Sequence, residues 1–261
     1  MSIEFLSIFN QYQNTHVNMI PSIKQFNELL RIIEIGKHKE NLEKHKKYMQ
    51  SALITFQKAM NPNTPLSKRF SILQATWGHC FNSIKFKPNS PSMWELLGDA
   101  SYERTETVIG LLAYKKALEF HPENEESIKL KITEFSKLAK LYIALDSHIL
   151  PLDILMSLLE CICCGANGHL TPNRVRRTYT VPAGPVKYKI TSDITVPLCD
   201  NCMSSPKKNA KKNLKYGSNG AGVKVGKGSP FSYTLWQKYV ILEKYKSGLI
   251  DQELLNAVSQ L

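Results

Sequence analysis

The chain has 261 residues, of which 43% are hydrophobic and 21% charged, ordinary globular usage that excludes wholesale disorder and suits one large domain or two smaller ones. Its formal charge of +12 comes from 34 Lys and Arg against 22 Asp and Glu, but the excess is local. Residues 1–160 carry 19 basic and 17 acidic side chains, residues 161–230 carry 12 and 2, and residues 231–261 carry 3 and 3. Such a basic field attracts a polyanion, or else serves as a solvated tether. No apolar run reaches the roughly 18–20 residues of a membrane span, and Ile149 to Leu159 is broken by Pro151 and Asp153. Met1 to Tyr12 carries Glu4 and no basic n-region, a poor match to a signal peptide. The expectation is a cytoplasmic protein, or a nuclear one in a eukaryote, with no membrane partner.

Residues 1–158 read as a helical domain. Phe26, Leu29, Leu30 and Ile33 recur at the spacing of one helix face within Gln25–Ile35. Ser22 is the expected cap and Gly36 the expected break. Lys37–Met60 reads as a long helix, Asn61–Pro65 as a breaker, and a further helix runs to about Phe86 before Lys87–Pro91 breaks it again. A terminal helix is expected at about 125–145.

Ser92–Glu125 carries the most informative pattern of this half. Trp94, Leu97 and Gly98 are followed by Tyr114, Ala117 and Pro122. Small residues let two helices approach, large ones fill the adjacent gaps, and proline ends the second helix. Counted from Pro91, these positions resemble a tetratricopeptide repeat, a 34-residue helix–turn–helix unit. Gly110 stands where that family has alanine, and Ser101 takes its aromatic slot with Tyr102 beside it. Ala52, Phe56 and Ala59 keep the small–large–small spacing of another second repeat helix, and Ser83 and Pro88 fit the end of a unit. The resemblance implies a stack of helix pairs, an α-solenoid, presenting a groove to a protein or peptide partner.

Beyond 158 the texture changes. Arg174–Pro182 and Val186–Thr191 read as strands joined by a turn at Ala183-Gly184-Pro185, with a third strand at Ile194–Pro197. Residues 204–230 read as a basic Gly/Lys/Asn-rich linker, and residues 231–261 as a C-terminal helical hairpin. The expected architecture is therefore mainly α, with a small β-hairpin zinc module at 159–203.

That module is read from cysteines. Five of the six, Cys161, Cys163, Cys164, Cys199 and Cys202, fall within 42 residues, and they include two Cys-x-x-Cys units. Without a secretory signal, this spacing points to metal before disulfide. Four thiolates suit a tetrahedral, structural Zn²⁺. Cys161, Cys164, Cys199 and Cys202 are the expected ligands, with Cys163 a bystander and His169 an alternative ligand. Gly165 permits the tight turn that aims backbone amides at thiolate sulfurs. The pattern looks like the zinc-ribbon and treble-clef modules. A redox role is the alternative chemistry, but no thioredoxin-like βαβ context surrounds either pair. Cys80 reads as a buried hydrophobe.

No catalytic constellation emerges. The seven histidines are scattered, Gly222–Ser229 lacks phosphate-loop spacing, and a closed four-thiolate site offers no open position to substrate. The function expected is a non-catalytic protein-interaction adaptor. The alternative is a nucleic-acid-binding protein using Arg174, Arg176, Arg177, Lys187 and Lys189 of the hairpin, with Tyr179 and Tyr188 beside them, together with Lys207, Lys208, Lys211, Lys212 and Lys215 of the linker.

Overall fold

Where apolar residues recur at helical spacing, the chain is helical: α1 Pro21–Glu34, α2 Leu42–Met60, α3 Leu66–Phe86, α4 Pro91–Glu103, α5 Thr107–Glu119 and α6 Glu125–Asp146. These come from a computed structural model that describes residues 21–36, 40–183, 186–204, 214–217, 220–223 and 231–258. Local chemistry sets the ends. Gly36, at φ +63°, closes α1. The Asn41 side chain caps α2, accepting from the Lys44 amide at 2.9 Å. Pro91 opens α4, where its missing N–H costs no helical bond. Within the described residues α1 spans Pro21–Glu34, so the expected cap Ser22 lies inside the helix.

The chain forms two units, Met1–Ile143 and Ala144–Leu261. In the first unit α2 lies beside α3, α3 beside α4, and α4 beside α5. The core gathers Phe26, Leu29, Trp77, Phe81, Trp94 and Tyr114, all buried. Gly98 explains how closely α4 and α5 approach: a Cβ there would stand 2.5 Å from the Tyr114 ring. Gly110 does the same for α6, since its Cβ would meet the Phe135 ring at 2.8 Å. Ser101 is fully buried and satisfied, accepting from Trp77 Nε1 at 3.2 Å and donating to the Leu97 carbonyl at 2.7 Å. Tyr102 beside it packs on Phe135 with ring centroids 3.8 Å apart. Ser83 ties α3 to α2 through His45, Oγ to Nδ1 at 2.9 Å.

One pairing differs from expectation. Ala52, Phe56 and Ala59 lie on α2, which pairs with the helix that follows it, so they belong to the first helix of a pair. Ala52 and Ala59 are fully buried, and the small side chains that read as a second-helix signature serve the α2–α3 contact equally well.

In the second unit Pro151 precedes α7 Leu152–Leu158, and β1 Thr171–Ala183 pairs antiparallel with β2 Val186–Leu198. The expected second and third strands are one. Asp193, between the two expected strands, lies within β2 and faces Arg176 across the ladder. A single turn, α8 Asp200–Met203, follows. The stretch expected to be an aperiodic linker contains β3 Leu214–Gly217 and β4 Gly220–Val223, which join β5 Phe231–Ser232 in a sheet of order β3–β4–β5. Gly217 pairs with Gly220. Ser232 then caps α9 Tyr233–Lys246, accepting from the Leu235 amide at 3.2 Å, and α10 Gln252–Val258 completes the C-terminal pair. Helix α9 lies against α7, β4 and β5.

Candidate metal centre

The two cysteine pairs are shaped by two backbone turns. In the first, the Gly165 amide donates to the Cys161 carbonyl at 2.8 Å, and the Cys161 amide donates to the Ala166 carbonyl at 2.9 Å. Gly165 adopts φ +74°, a region glycine enters without strain. In the second, Cys199 follows β2 as the N-cap residue of α8, and its carbonyl accepts from the amides of Cys202 (2.9 Å) and Met203 (3.1 Å). The Ile162 amide donates to the Pro197 carbonyl at 3.1 Å and so fastens one turn to the other.

The Sγ atoms of Cys161, Cys164, Cys199 and Cys202 lie within 4.8 Å of one another, and those of Cys164 and Cys199 are 3.6 Å apart. A tetrahedron with Zn–S arms of about 2.3 Å has edges of about 3.8 Å. A disulfide requires about 2.05 Å, and all six cysteines are free of disulfides. Four cysteines held this way can bind a metal ion. Cys163 and the exposed His169 stand outside the set.

The electrostatics fit a cation. Burial opposes ionisation of Cys161, but amides of Cys199, Cys163 and Cys164 directed at its sulfur bring the thiol down to about 6. The second and third charges are the difficult ones. Burial, and then hydrogen bonding to Cys164, Cys199 and Cys161, raise Cys202. Cys164 is also raised: the Ala166 amide favours its thiolate, but burial and its sulfur neighbours outweigh that. Burial, with Cys161 beside it, pushes Cys163 up to about 11. A divalent ion at the centre reverses this repulsion and lets neighbouring thiolates coexist.

This module has a small apolar floor of Ile162, Leu170, Val175, Val196 and Leu198, all buried. One supporting residue carries no sequence signal. Lys244 of α9 is buried, and its ammonium donates to the carbonyls of Ser157 (3.3 Å) and Leu159. It thereby satisfies the end of α7 two residues before Cys161. Burial lowers its pKa, and Glu160 partly offsets that effect. The bond joins residues 85 apart in the chain, beyond what local pattern reports.

The basic residues are divided. Arg174 and Arg176 are exposed and both bind Asp193, at 2.5 Å and 2.9 Å. Arg177, Lys187 and Lys189 lie in the strands, with Arg177 on the face opposite Arg174 and Arg176. By strand register Tyr179 and Tyr188 fall on the same side as Arg177 and on the side opposite Arg174, Arg176, Lys187 and Lys189, so only part of the expected grouping is brought together. Lys215 lies in β3, and Lys207, Lys208, Lys211 and Lys212 fall outside the described residues.

The first unit holds a cleft of about 610 Å³ between α1 and α3. Its lining includes Trp77 and Phe81, both largely buried, and the polar side chains of Lys24, Glu28, Gln74, Asn82 and Lys85. Trp94, Leu97, Gly98, Tyr114 and Ala117, singled out from sequence as packing residues, are buried. Pro122 follows the end of α5. No family model, curated protein or solved structure matches the chain.

Proposed function

We propose that the chain is a non-catalytic interaction adaptor, in which tetratricopeptide-like helix pairs receive a peptide segment and a structural Zn²⁺ organises the second unit. The α1–α3 cleft carries this reading. Its aromatic residues suit an apolar anchor, and its lysine and amide side chains suit flanking carboxylates and backbone. The zinc part rests on four thiol sulfurs at tetrahedral spacing and on turns whose amides favour a thiolate. Cys161, Cys164, Cys199 and Cys202 would hold the ion. A four-thiolate shell is closed, and its chemistry is structural. Such a site persists where thiols stay reduced, in keeping with a cytoplasmic or nuclear location.

Panning a random peptide library against the full, zinc-loaded chain tests the adaptor reading. The expected result is enrichment of peptides with an apolar anchor beside acidic residues. Their affinity should fall at least tenfold in Asn82→Ala/Lys85→Ala with helical content unchanged. Enriched peptides indifferent to both substitutions, or no enrichment at all, would remove the cleft as the binding site.

A further inference from the structure

The β1–β2 register sorts the basic residues of the hairpin. Arg174 faces Thr195, Arg176 faces Asp193, Thr178 faces Thr191, Thr180 faces Lys189 and Pro182 faces Lys187. Opposed residues of an antiparallel pair share a face, as do alternate residues along each strand. Arg174, Arg176, Lys187 and Lys189 therefore occupy one face, with four threonines among them. The other face holds Val175 and Val196, both buried, and is the inner one.

The outer face has a definite layout. At about 3.3 Å per residue, the Arg174–Arg176 pair and the positions opposite Lys189 and Lys187 span roughly 26 Å. Thr178 and Thr191 lie between the two basic clusters. Asp193 is the acidic residue on either strand. It takes both guanidiniums, Arg174 at 2.5 Å and Arg176 at 2.9 and 3.1 Å. Those arginine side chains stay about 70% exposed all the same.

We infer that this face is a contact surface for the phosphate backbone of duplex DNA. A two-stranded ribbon fits the major groove of B-form DNA, about 12 Å wide. Guanidinium, ammonium and hydroxyl groups are the side chains that bind phosphate oxygens. The A-form RNA groove is too narrow to admit a ribbon. Single strands are held by aromatic stacking, and Tyr179 and Tyr188 stand on the opposite face. Asp193 acts as an internal competitor: phosphate must displace it to engage both arginines. This contact is independent of peptide binding in the first unit.

The test is fluorescence anisotropy of a 20-base-pair DNA duplex with the full zinc-loaded chain, from 50 to 300 mM salt. Replacing Arg174, Arg176, Lys187 and Lys189 together by Gln is expected to weaken binding at least tenfold. Loss of four phosphate contacts should lower the slope of log K against log salt by about 3.6. Arg177→Gln removes a charge from the inner face and is expected to change Kd less than twofold. Asp193→Asn frees both arginines and is expected to tighten binding several-fold. Circular dichroism and bound zinc establish that each variant is folded. Absence of binding by the folded wild-type chain overturns the inference, as does an unaffected fourfold variant. So does weaker binding by Asp193→Asn, or a preference for duplex RNA or for anionic phosphatidylserine vesicles over DNA. A tenfold loss on replacing only Lys207, Lys208, Lys211 and Lys212 by Gln, with the fourfold variant unaffected, would move the contact to that run.

Discussion

The helical unit and the cysteine unit solve the problem of a stable interior in different ways. In the first, two tryptophans, Tyr114 and Phe26 are buried almost completely among aliphatic neighbours. Burying each such side chain contributes on the order of 2–3 kcal/mol. In the second, the hairpin's floor is a handful of buried Ile, Leu and Val side chains in a module that also holds the four-cysteine cluster. A small core of that kind is where natural domains add a metal. With a metal in the four-cysteine cluster, one chain would hold a unit stabilised by packing and another stabilised by ligation, and each should fail separately.

Metal removal is the largest expected effect. A strong chelator, or Cys199→Ser, should unfold residues 161–203 and leave the α2–α5 helices standing. Structural zinc contributes on the order of 10 kcal/mol to small metal domains, far more than the apolar floor supplies. Hydrogen exchange resolved by segment is the measurement. Hairpin amides that stay protected without metal would break the contrast and make the second unit packing-stabilised as well.

The converse experiment is Trp94→Ala. Trp94 is 1% exposed, and its indole N–H donates to the Pro88 carbonyl at 2.6 Å. The truncation leaves a cavity and an unpaired acceptor, at a cost of roughly 3–5 kcal/mol. Denaturant melting should show the helical transition weakened while zinc content stays stoichiometric. A smaller and more pointed change is Gly98→Ala. Its new methyl meets the Tyr114 ring, which is fixed by its hydroxyl donating to Asp99. The ring cannot swing aside freely, so a loss of about 1–3 kcal/mol is expected, again confined to the first unit. No loss of stability would mean that α4 and α5 separate cheaply.

The two units were also legible to different degrees. Helix ends in the first unit were visible because proline, glycine and asparagine act locally: Pro91, Gly36 and the Asn-Pro segment at 61–65 punctuate the chain where helices stop or start. The α4–α5 pair was implied by the resemblance of Trp94, Gly98 and Tyr114 to tetratricopeptide positions, where a small residue faces a large one across two helices. The partner of α2 was not, because small–large–small spacing says that a helix packs closely and not which neighbour it packs on. The α1–α3 cleft joins Lys24 to Lys85 across 60 intervening residues and left no local trace. In the second unit the four cysteines were found by spacing alone, since ligands must converge on a point. Lys244 escaped because it bonds backbone carbonyls, which every sequence has. The strands Leu214–Gly217 and Gly220–Val223 carry no sequence signal because their Lys- and Gly-rich composition says nothing of the pairing that forms them.

The smallest expected effect concerns the hairpin's outer face, where neither packing nor metal acts. Hydrogen bonding from Arg176 holds the Asp193 carboxyl below its ordinary range, burial opposing slightly and Arg174 adding to the shift. The unfolded chain lacks both partners. The pairing therefore stabilises the hairpin above the ordinary carboxylate pKa, and that contribution disappears as pH falls through the lower folded-state value. Asp193 and the two arginines are solvent-exposed, so screening keeps the stability change small. The sharper measurement is the Asp193 carboxyl carbon followed by NMR through an acid titration. Its midpoint should lie below that of an unstructured aspartate and rise in Arg176→Gln. It should rise less in Arg174→Gln, because Arg176 makes two of the three hydrogen bonds to the carboxylate. A midpoint indifferent to both substitutions would mean that the carboxylate does not hold the arginines in solution, and the face would then present them to phosphate without a competitor.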